Sequence, residues 1–202
     1  MGGLGFWDDY LKVSKKNSKG VTEKTKLIVQ TLVGVALAVV LYAREDTRPV
    51  AREFYVPSVK EAVFQMPMWG AVLWFVVVIT GSSNAVNVTD GLDGLAAGCS
   101  AVTAIVLTAF AYISGSSLLA EHLFVPQTPG GIELAVFAAA LAGASLGFLW
   151  FNCHPARVFM GDTGSLALGG AFGAVSLCIN QELLLMLAGG VFVIEALSVI
   201  LQ

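Results

Sequence analysis

The stretch Asn84-Ala-Val-Asn-Val-Thr-Asp-Gly-Leu-Asp-Gly-Leu-Ala-Ala-Gly98 decides how this chain folds. It places two amides and two carboxylates three residues apart, Asn84, Asn87, Asp90 and Asp93, with apolar runs on both sides. A carboxylate at the centre of a membrane-spanning helix costs at least about 2.5–3.5 kcal/mol. The stretch therefore belongs at a membrane surface or beside a wet cavity, and we expect a loop that leads into a helix start.

Within this stretch, Asp90 and Asp93 are spaced to act together, because helix neighbours three apart share a face. Gly91 and Gly94 allow a backbone to approach a ligand closely, and a helix start would favour an anion. The alternative is that Thr89 or Asp90 simply caps the next helix. A cap accounts for one of the four polar residues.

Composition sets the protein class. The chain is 56% hydrophobic and 12% charged, whereas a soluble domain carries about 25% charged residues. The three cysteines are far apart and odd in number, which gives no disulfide framework and no zinc site. Long apolar runs instead predict a polytopic membrane protein.

The apolar runs predict an all-α fold, a bundle of about six transmembrane helices in one integral-membrane domain over residues 1–202. Residues 1–24 form a polar, basic segment, and the loop over residues 44–65 has a short strand at Phe54-Tyr55-Val56. Part of Gly81–Val88 continues the second span. The spans are Thr25–Ala43, Met66–Thr80, Gly91–Ser114, Gly131–Phe151, Ser165–Ile179 and Glu182–Gln202.

Loop charges predict the orientation of the bundle. Seven of the 11 lysines and arginines lie in the N-terminal segment and in the loops on its side of the membrane, which favours that side as cytoplasmic. Two spans separate each of the acidic loops from the next. The sequence therefore predicts that Asp8-Asp9, Asp90, Asp93 and Asp162 meet at the cytoplasmic face.

Carboxylates and lysines gathered at one face favour chemistry on phosphates. Mg²⁺ takes oxygen ligands, often one or two carboxylates together with substrate phosphates, and phosphoryl transfer depends on positioning and charge stabilisation. The turn Gly161-Asp162-Thr163-Gly164-Ser165 offers a carboxylate, backbone N–H groups and hydroxyls. Its alternative interpretation is a glycine-rich turn in which Asp162 caps the next helix. No GxxxxGK motif occurs, which excludes a P-loop.

Three motifs carry a family resemblance. They are Gly5-Phe-Trp-Asp-Asp-Tyr-Leu-Lys12, the stretch from Asn84, and Phe151-Asn-Cys-His-Pro-Ala-Arg-Val-Phe-Met-Gly-Asp-Thr-Gly-Ser165. Together they resemble the bacterial phospho-N-acetylmuramoyl-pentapeptide transferases, within the polyprenyl-phosphate sugar-1-phosphate transferase superfamily. The resemblance covers nearly the whole chain, and the second and third motifs are highly specific.

The resemblance implies that undecaprenyl phosphate attacks UDP-N-acetylmuramoyl-pentapeptide with Mg²⁺, giving lipid I and UMP, at the cytoplasmic face of the bacterial inner membrane. It implies catalytic roles for Asp8, Asp9 and Asp162, with Asp8 as base or acceptor-orienting group and Asp162 as the Mg²⁺ ligand. The implied substrate-binding residues are Lys12 and Lys24 for phosphates, and Asn84, Asn87, Asp90, Asp93, Asn152 and Phe159 around the nucleotide. Membrane lipid is a further partner, nucleic acid is not expected, and a homodimer stays open.

The chain also departs from this family. Spans before the Asp-Asp motif and a histidine-rich loop after Gln202 are missing, so we expect a segment truncated at both ends. In such a segment the Asp8-Asp9 end would be frayed and catalysis weak. Two other functions stay open: a transferase with a UDP-N-acetylhexosamine donor, and, more remotely, a cation-coupled transporter. A transporter would place its carboxylates near the bilayer midplane.

Overall fold

The computed structural model describes residues 1–14, 20–57, 59 and 61–202 and confirms an all-α membrane bundle. Lys15, Lys16, Lys19 and Lys60, which contribute to the charge count above, lie outside the described residues. The helices are α1 Gly2–Ser14, α2 Glu23–Ala43, α3 Arg48–Arg52, α4 Met68–Thr89, α5 Leu95–Gly115, α6 Ser117–His122, α7 Gly131–Asn152, α8 Gly161–Cys178, α9 Glu182–Ala188 and α10 Gly190–Leu201. Strands β1, Glu53–Phe54, and β2, Phe64–Gln65, pair antiparallel.

Among the described residues, the number of spans is four or five and not six. Helices α2, α4, α5 and α7 are long and apolar enough to cross a membrane. Helices α9 and α10 count as a fifth span only if taken together, since the chain bends by 82° between them at Gly189. Helix α8 forms where the fifth span was predicted, but it is not among the spans, and its first turns carry Asp162 and several glycines.

Helix α4 continues well beyond Thr80, as the sequence allowed. Asn84 and Asn87 therefore lie on its last turns, and the helix ends at Thr89. The predicted loop leading into a helix start is wrong for this part, because residues 81–89 contain no proline and the first strong turn signal is Asp90-Gly91. The next helix begins only after Gly94, whose φ of +75° is a conformation that favours glycine.

The N-terminal residues are helical and not frayed. Leu4 is buried and packs with Val21 and Leu166, which ties α1 to the start of α2 and to α8. The polar segments predicted as loops also contain the short helices α3 and α6. The strand predicted at residues 54–56 is found one residue earlier, as β1.

Helix α4 is the centre of the packing. It packs against α2, α8 and α10, while α5 pairs with α7 and α1 lies along α8. Small residues allow the close approaches, as membrane helices require. At Gly34 a Cβ would lie 2.8 Å from Val76 Cα, so α2 contacts the α4 backbone directly. Gly169 of α8 meets the α4 backbone at Ser82 in the same way.

This packing brings four chain segments to one end of the bundle. They are α1, the first turns of α2, the last turns of α4 and the first turn of α8, as their hydrogen bonds and ion pairs show. The opposite end carries the β1–β2 hairpin, where the Asn180 side chain donates to the Glu53 carbonyl just beyond the end of α8. The structure thus brings Asp8, Asp9 and Asp162 together at one end of the bundle, as the sequence predicted, and their cytoplasmic location stays a prediction.

Candidate active site

The acidic cluster is formed by Asp8 and Asp9 of α1 and Asp162 of α8. Each contributes a carboxylate oxygen, and these oxygens all lie within 4.8 Å of one another. The turn at Gly20, with φ of +58°, returns the chain onto this cluster, and a Cβ there would lie 2.5 Å from Asp8 Oδ1. Residues far apart in sequence therefore meet in one small volume.

Asp8 is fully buried and held by cations and a backbone group. Its Oδ1 accepts a 2.7 Å hydrogen bond from the Val21 N–H and lies 3.1 Å from Lys26 Nζ, while Oδ2 lies 2.5 Å from Lys12 Nζ. Burial raises the pKa of Asp8, but the hydrogen bonds from Lys12, Val21 and Lys26 outweigh it and hold that pKa well below its usual range. The Asp8 carboxylate raises the pKa of Lys12 in turn. Both groups therefore stay ionised near neutral pH.

Asp162 contacts the same two cations and an amide. Its Oδ2 lies 2.5 Å from Lys26 Nζ and 3.6 Å from Lys12 Nζ. Its Oδ1 accepts a 3.1 Å hydrogen bond from Asn87 Nδ2, which also donates to Ser165 Oγ at 2.8 Å. Lys26 thus bridges Asp8 and Asp162 and links the two helices that carry them.

Asp9 caps the start of α8. Its carboxylate accepts hydrogen bonds from the N–H of Asp162 at 3.2 Å and of Thr163 at 2.8 Å, and from Thr163 Oγ1 at 2.6 Å. A negative group at a helix N-terminus satisfies free N–H groups and complements the helix dipole. The interpretation of Asp162 as the cap is therefore wrong, since Asp9 fills that position and Asp162 faces the lysines.

Asp90 adds a fourth carboxylate beside the cluster. It is half-buried, and the nearby backbone N–H of Gly161 lowers its pKa. Burial, followed by the charges of Asp162 and Asp9, raises the pKa of Asp90 to about 6. Among the described residues, Lys12 and Lys26 pair with two of these four carboxylates, Asp8 and Asp162.

Asp93 faces a different loop, so its predicted joint action with Asp90 on one helix face is wrong. Its Oδ2 accepts a 3.1 Å hydrogen bond from the Ala156 N–H and lies 3.2 Å from His154 Nδ1. The two residues lie outside α4 and α5, in the turn between them, where the spacing of three no longer means a shared face. Asp93 instead ties that turn to the loop before α8.

Asn152 reinforces the same connection from the other side. Its Oδ1 accepts from the Gly94 N–H at 3.1 Å, and its Nδ2 donates to the Val158 carbonyl at 2.8 Å. The next residue, Phe159, is 74% exposed. The two loops are thus bound together, with an aromatic ring presented to the surroundings close in sequence to Asp162.

The structure adds Lys26 to the lysines predicted from sequence, and the phosphate-binding role of Lys24 stays a prediction. Lys24, predicted to contact phosphates, is exposed and belongs to none of the ion pairs among the described residues, whereas Lys26 lies in the cluster. Asn84, predicted to line a nucleotide pocket, exchanges two hydrogen bonds with Gln30. Lys26 and Gln30 were not predicted as site residues, although their spacing of four, continued by Gly34, places all three on one face of α2.

The cluster suits a divalent cation. Carboxylate oxygens are the ligands that Mg²⁺ prefers, and three of them lie close together here. Carboxylates held this close together also attract a cation electrostatically. Asp8, Asp9 and Asp162 are the residues that would hold it, which adds two ligands to the single one predicted from sequence.

Comparison with known proteins decides the family. The sequence model described as glycosyl transferase family 4 matches residues 1–180. The chain belongs to this family. The match spans the acidic cluster, Lys12, Lys26 and both connected loops, so every site residue described above lies within the region that glycosyl transferase family 4 shares.

Individual relatives are more specific. The chain is 53% identical over 202 residues to a phospho-N-acetylmuramoyl-pentapeptide-transferase of Methylacidiphilum infernorum, covering all of this chain and 55% of that protein. Proteins of the same name are 48% identical in Desulfotalea psychrophila and 50% identical in Endomicrobium trichonymphae. The chain spans about half the length of these curated relatives. The chain is thus a multi-pass membrane protein of glycosyl transferase family 4, and it is similar to proteins that bear this transferase name, as the sequence motifs predicted.

Proposed function

We propose that the protein transfers phospho-N-acetylmuramoyl-pentapeptide from its UDP-linked donor to undecaprenyl phosphate. An oxygen of the acceptor phosphate forms a bond to the sugar-linked phosphorus of the donor. The bond from that phosphorus to the oxygen bridging the diphosphate breaks, and UMP leaves with that oxygen. The products are lipid I and UMP, in the first membrane step of peptidoglycan synthesis.

The observation that carries this proposal is the cluster of Asp8, Asp9 and Asp162 with two lysines, in a chain whose relatives bear the name of this transferase. Lysine ammonium groups bind phosphate oxygens, and phosphoryl transfer needs such charge stabilisation more than covalent help. Asp8, Asp9 and Asp162 are the residues that would hold Mg²⁺, which would further neutralise the charge that develops on the phosphates.

The charge state of Asp8 argues against a role as a strong general base. Its lowered pKa keeps it ionised but makes it a weak proton acceptor. The acceptor does not need one, since a phosphate monoester has a second pKa of about 6 and is largely dianionic at neutral pH. We therefore propose that Asp8 orients Lys12 and Lys26. These two lysines in turn position the phosphates.

A cavity beside α4 supports a lipid acceptor. It has a volume of about 350 Å³ and lies between α4, α8 and the bent pair α9–α10. Its lining follows α4 from Trp74 to Val86, a length of about 18 Å at the helical rise per residue. Val86 precedes Asn87, which contacts Asp162. A prenyl chain lying in this cavity would bring its phosphate end close to the acidic cluster.

We place the cluster at the cytoplasmic face of the inner membrane, where a soluble nucleotide donor is available. In a version without its native cysteines, Val88→Cys should react only with thiol reagents that enter the cytoplasm. Gln127→Cys, in the loop at the other end of α5, should react from outside. Labelling of both positions from the same side would contradict this topology.

The donor is tested with the intact protein in detergent. We expect UMP release from UDP-N-acetylmuramoyl-pentapeptide with polyprenyl phosphate and Mg²⁺, and none when the lipid phosphate or the Mg²⁺ is omitted. UDP-N-acetylglucosamine is the matched second donor. Turnover with that donor alone would contradict the proposal and assign the protein to another surface-polymer pathway.

A further inference from the structure

The side chain of Gln30 lies inside a membrane-spanning helix, where polar groups are costly without partners. It is 1% exposed. Gln30 Nε2 donates to Asn84 Oδ1 at 2.9 Å, and Asn84 Nδ2 donates back to Gln30 Oε1 at 3.1 Å. The paired amides connect α2 directly to α4.

This amide pair lies between two groups that contact Asp162. Lys26 lies one turn before Gln30 on the same face of α2, and its Nζ reaches Asp162 Oδ2. Asn87 lies one turn after Asn84 on α4, and its Nδ2 reaches Asp162 Oδ1. Any sliding of α2 along α4 would therefore move Lys26 relative to Asn87 and disturb the geometry of their two contacts with the carboxylate.

A second contact makes the pair decisive for the relative position of these helices. Two turns beyond Lys26, Gly34 lies against the backbone of Val76. That contact brings the helices close but is apolar and non-directional, so it permits rotation and sliding. The two directional hydrogen bonds between Gln30 and Asn84 fix what the glycine contact leaves free.

We propose that Gln30 is a positioning residue for the transferase site. Acting through Asn84, it fixes α2 against α4 so that Lys26 bridges Asp8 and Asp162. The effect of Gln30 on catalysis rests on the proposed function. The placement of Lys26, however, can be measured without any turnover. A stabilising contact alone, of the kind that polar pairs make between membrane helices, would leave the Lys26 environment unchanged.

The test is lysine acylation of the intact protein with sulfosuccinimidyl acetate, read by peptide mass spectrometry. Gln30→Met keeps the length of the side chain and removes both hydrogen bonds. We expect Lys26 to be acylated several-fold faster in this variant, because its ion pairs with Asp8 and Asp162 loosen. Lys24, exposed in the same first turn of α2, is the internal control and should react at the wild-type rate.

Two further variants separate positioning from stability. Thr103→Val removes another interhelical hydrogen bond, the 3.2 Å bond from Thr103 Oγ1 to the Ala188 carbonyl, and should leave Lys26 acylation unchanged. Asn84→Ala breaks the same amide pair by changing its exposed member. This variant replaces Gln30→Met in the test if Gln30→Met does not fold. It should increase Lys26 acylation as Gln30→Met does, and the double variant should add nothing further, since both changes remove one interaction.

In the transfer assay, Gln30→Met should lower kcat about 10-fold or more with little change in the donor KM, because displacing catalytic groups by about 1 Å is costly. Wild-type acylation of Lys26 in a folded Gln30→Met protein would overturn the proposal. So would a kcat loss no larger than that of Thr103→Val. If no transfer activity is found with any donor, the proposed function fails, but the acylation result still decides the role of Gln30.

Discussion

Asp162→Asn should abolish transfer while leaving the protein folded. The substitution keeps the shape of the side chain and one oxygen, but it removes the charge that Lys26 and Lys12 contact. It also turns an amide N–H₂ group toward an ammonium or toward the Asn87 donor. Loss of a single preorganised electrostatic group costs about 10²–10³-fold in kcat, and the loss of a metal ligand adds to this. We expect UMP release to fall at least about 100-fold.

The control is Asp46→Asn, which removes an exposed carboxylate outside the acidic cluster and should leave turnover unchanged. Donor binding and the midpoint of thermal unfolding show whether the variants are folded. If Asp162 only capped α8, its loss would cost about 0.5–2 kcal/mol of stability with activity retained. Near-normal, Mg²⁺-dependent turnover by a folded Asp162→Asn protein would disprove the proposed role.

Much of the fold follows from the length and polarity of apolar runs. The helices α2, α5 and α7 were predicted because each apolar run is about as long as a bilayer core is thick, whereas the run predicted for α4 is short and the helix continues past it into Gly81–Val88. The sixth span was misjudged because apolar composition does not reveal a bend, and the fifth because α8 carries Asp162 and many glycines. Gly189 lies inside a run that looks continuous, yet the chain changes direction by 82° there and α10 packs against α4.

The candidate site was predictable as a meeting of segments but not in its contacts. Counting spans placed Asp8, Asp9 and Asp162 at one face, and the structure brings them together. The sequence does not say which neighbour a charge will face. Lys24 and Lys26 are two residues apart on one helix and therefore point in different directions, so only the packing of α2 against α4 shows that Lys26 is the one in the cluster.

The second substitution with a large expected effect lies at Gly5, where α1 packs closely on α8. At Gly5 a Cβ would overlap with the backbone carbonyl of Asp162 and would lie 2.6 Å from Thr163 Cα. No side-chain rotation relieves this overlap, because both neighbours are backbone atoms. Any larger residue at position 5 must therefore push α1 away from the first turn of α8. The carboxylates of Asp8 and Asp9 move with α1, whereas Asp162 stays with α8.

Gly5→Ala should therefore disable the site through a single methyl group. Overpacking of this kind typically costs about 1–3 kcal/mol of stability, and a displacement of about 1 Å between catalytic groups costs on the order of 100-fold in rate. We expect UMP release to fall by that factor and Lys26 acylation to rise as its bridge between Asp8 and Asp162 opens.

The matched control is Gly3→Ala on the same helix, where a Cβ meets nothing within 4 Å. Alanine there should keep full activity and gain about 0.5–1 kcal/mol of helix stability. Equal turnover of the two variants would show that the contact of α1 with α8 does not position the acidic cluster.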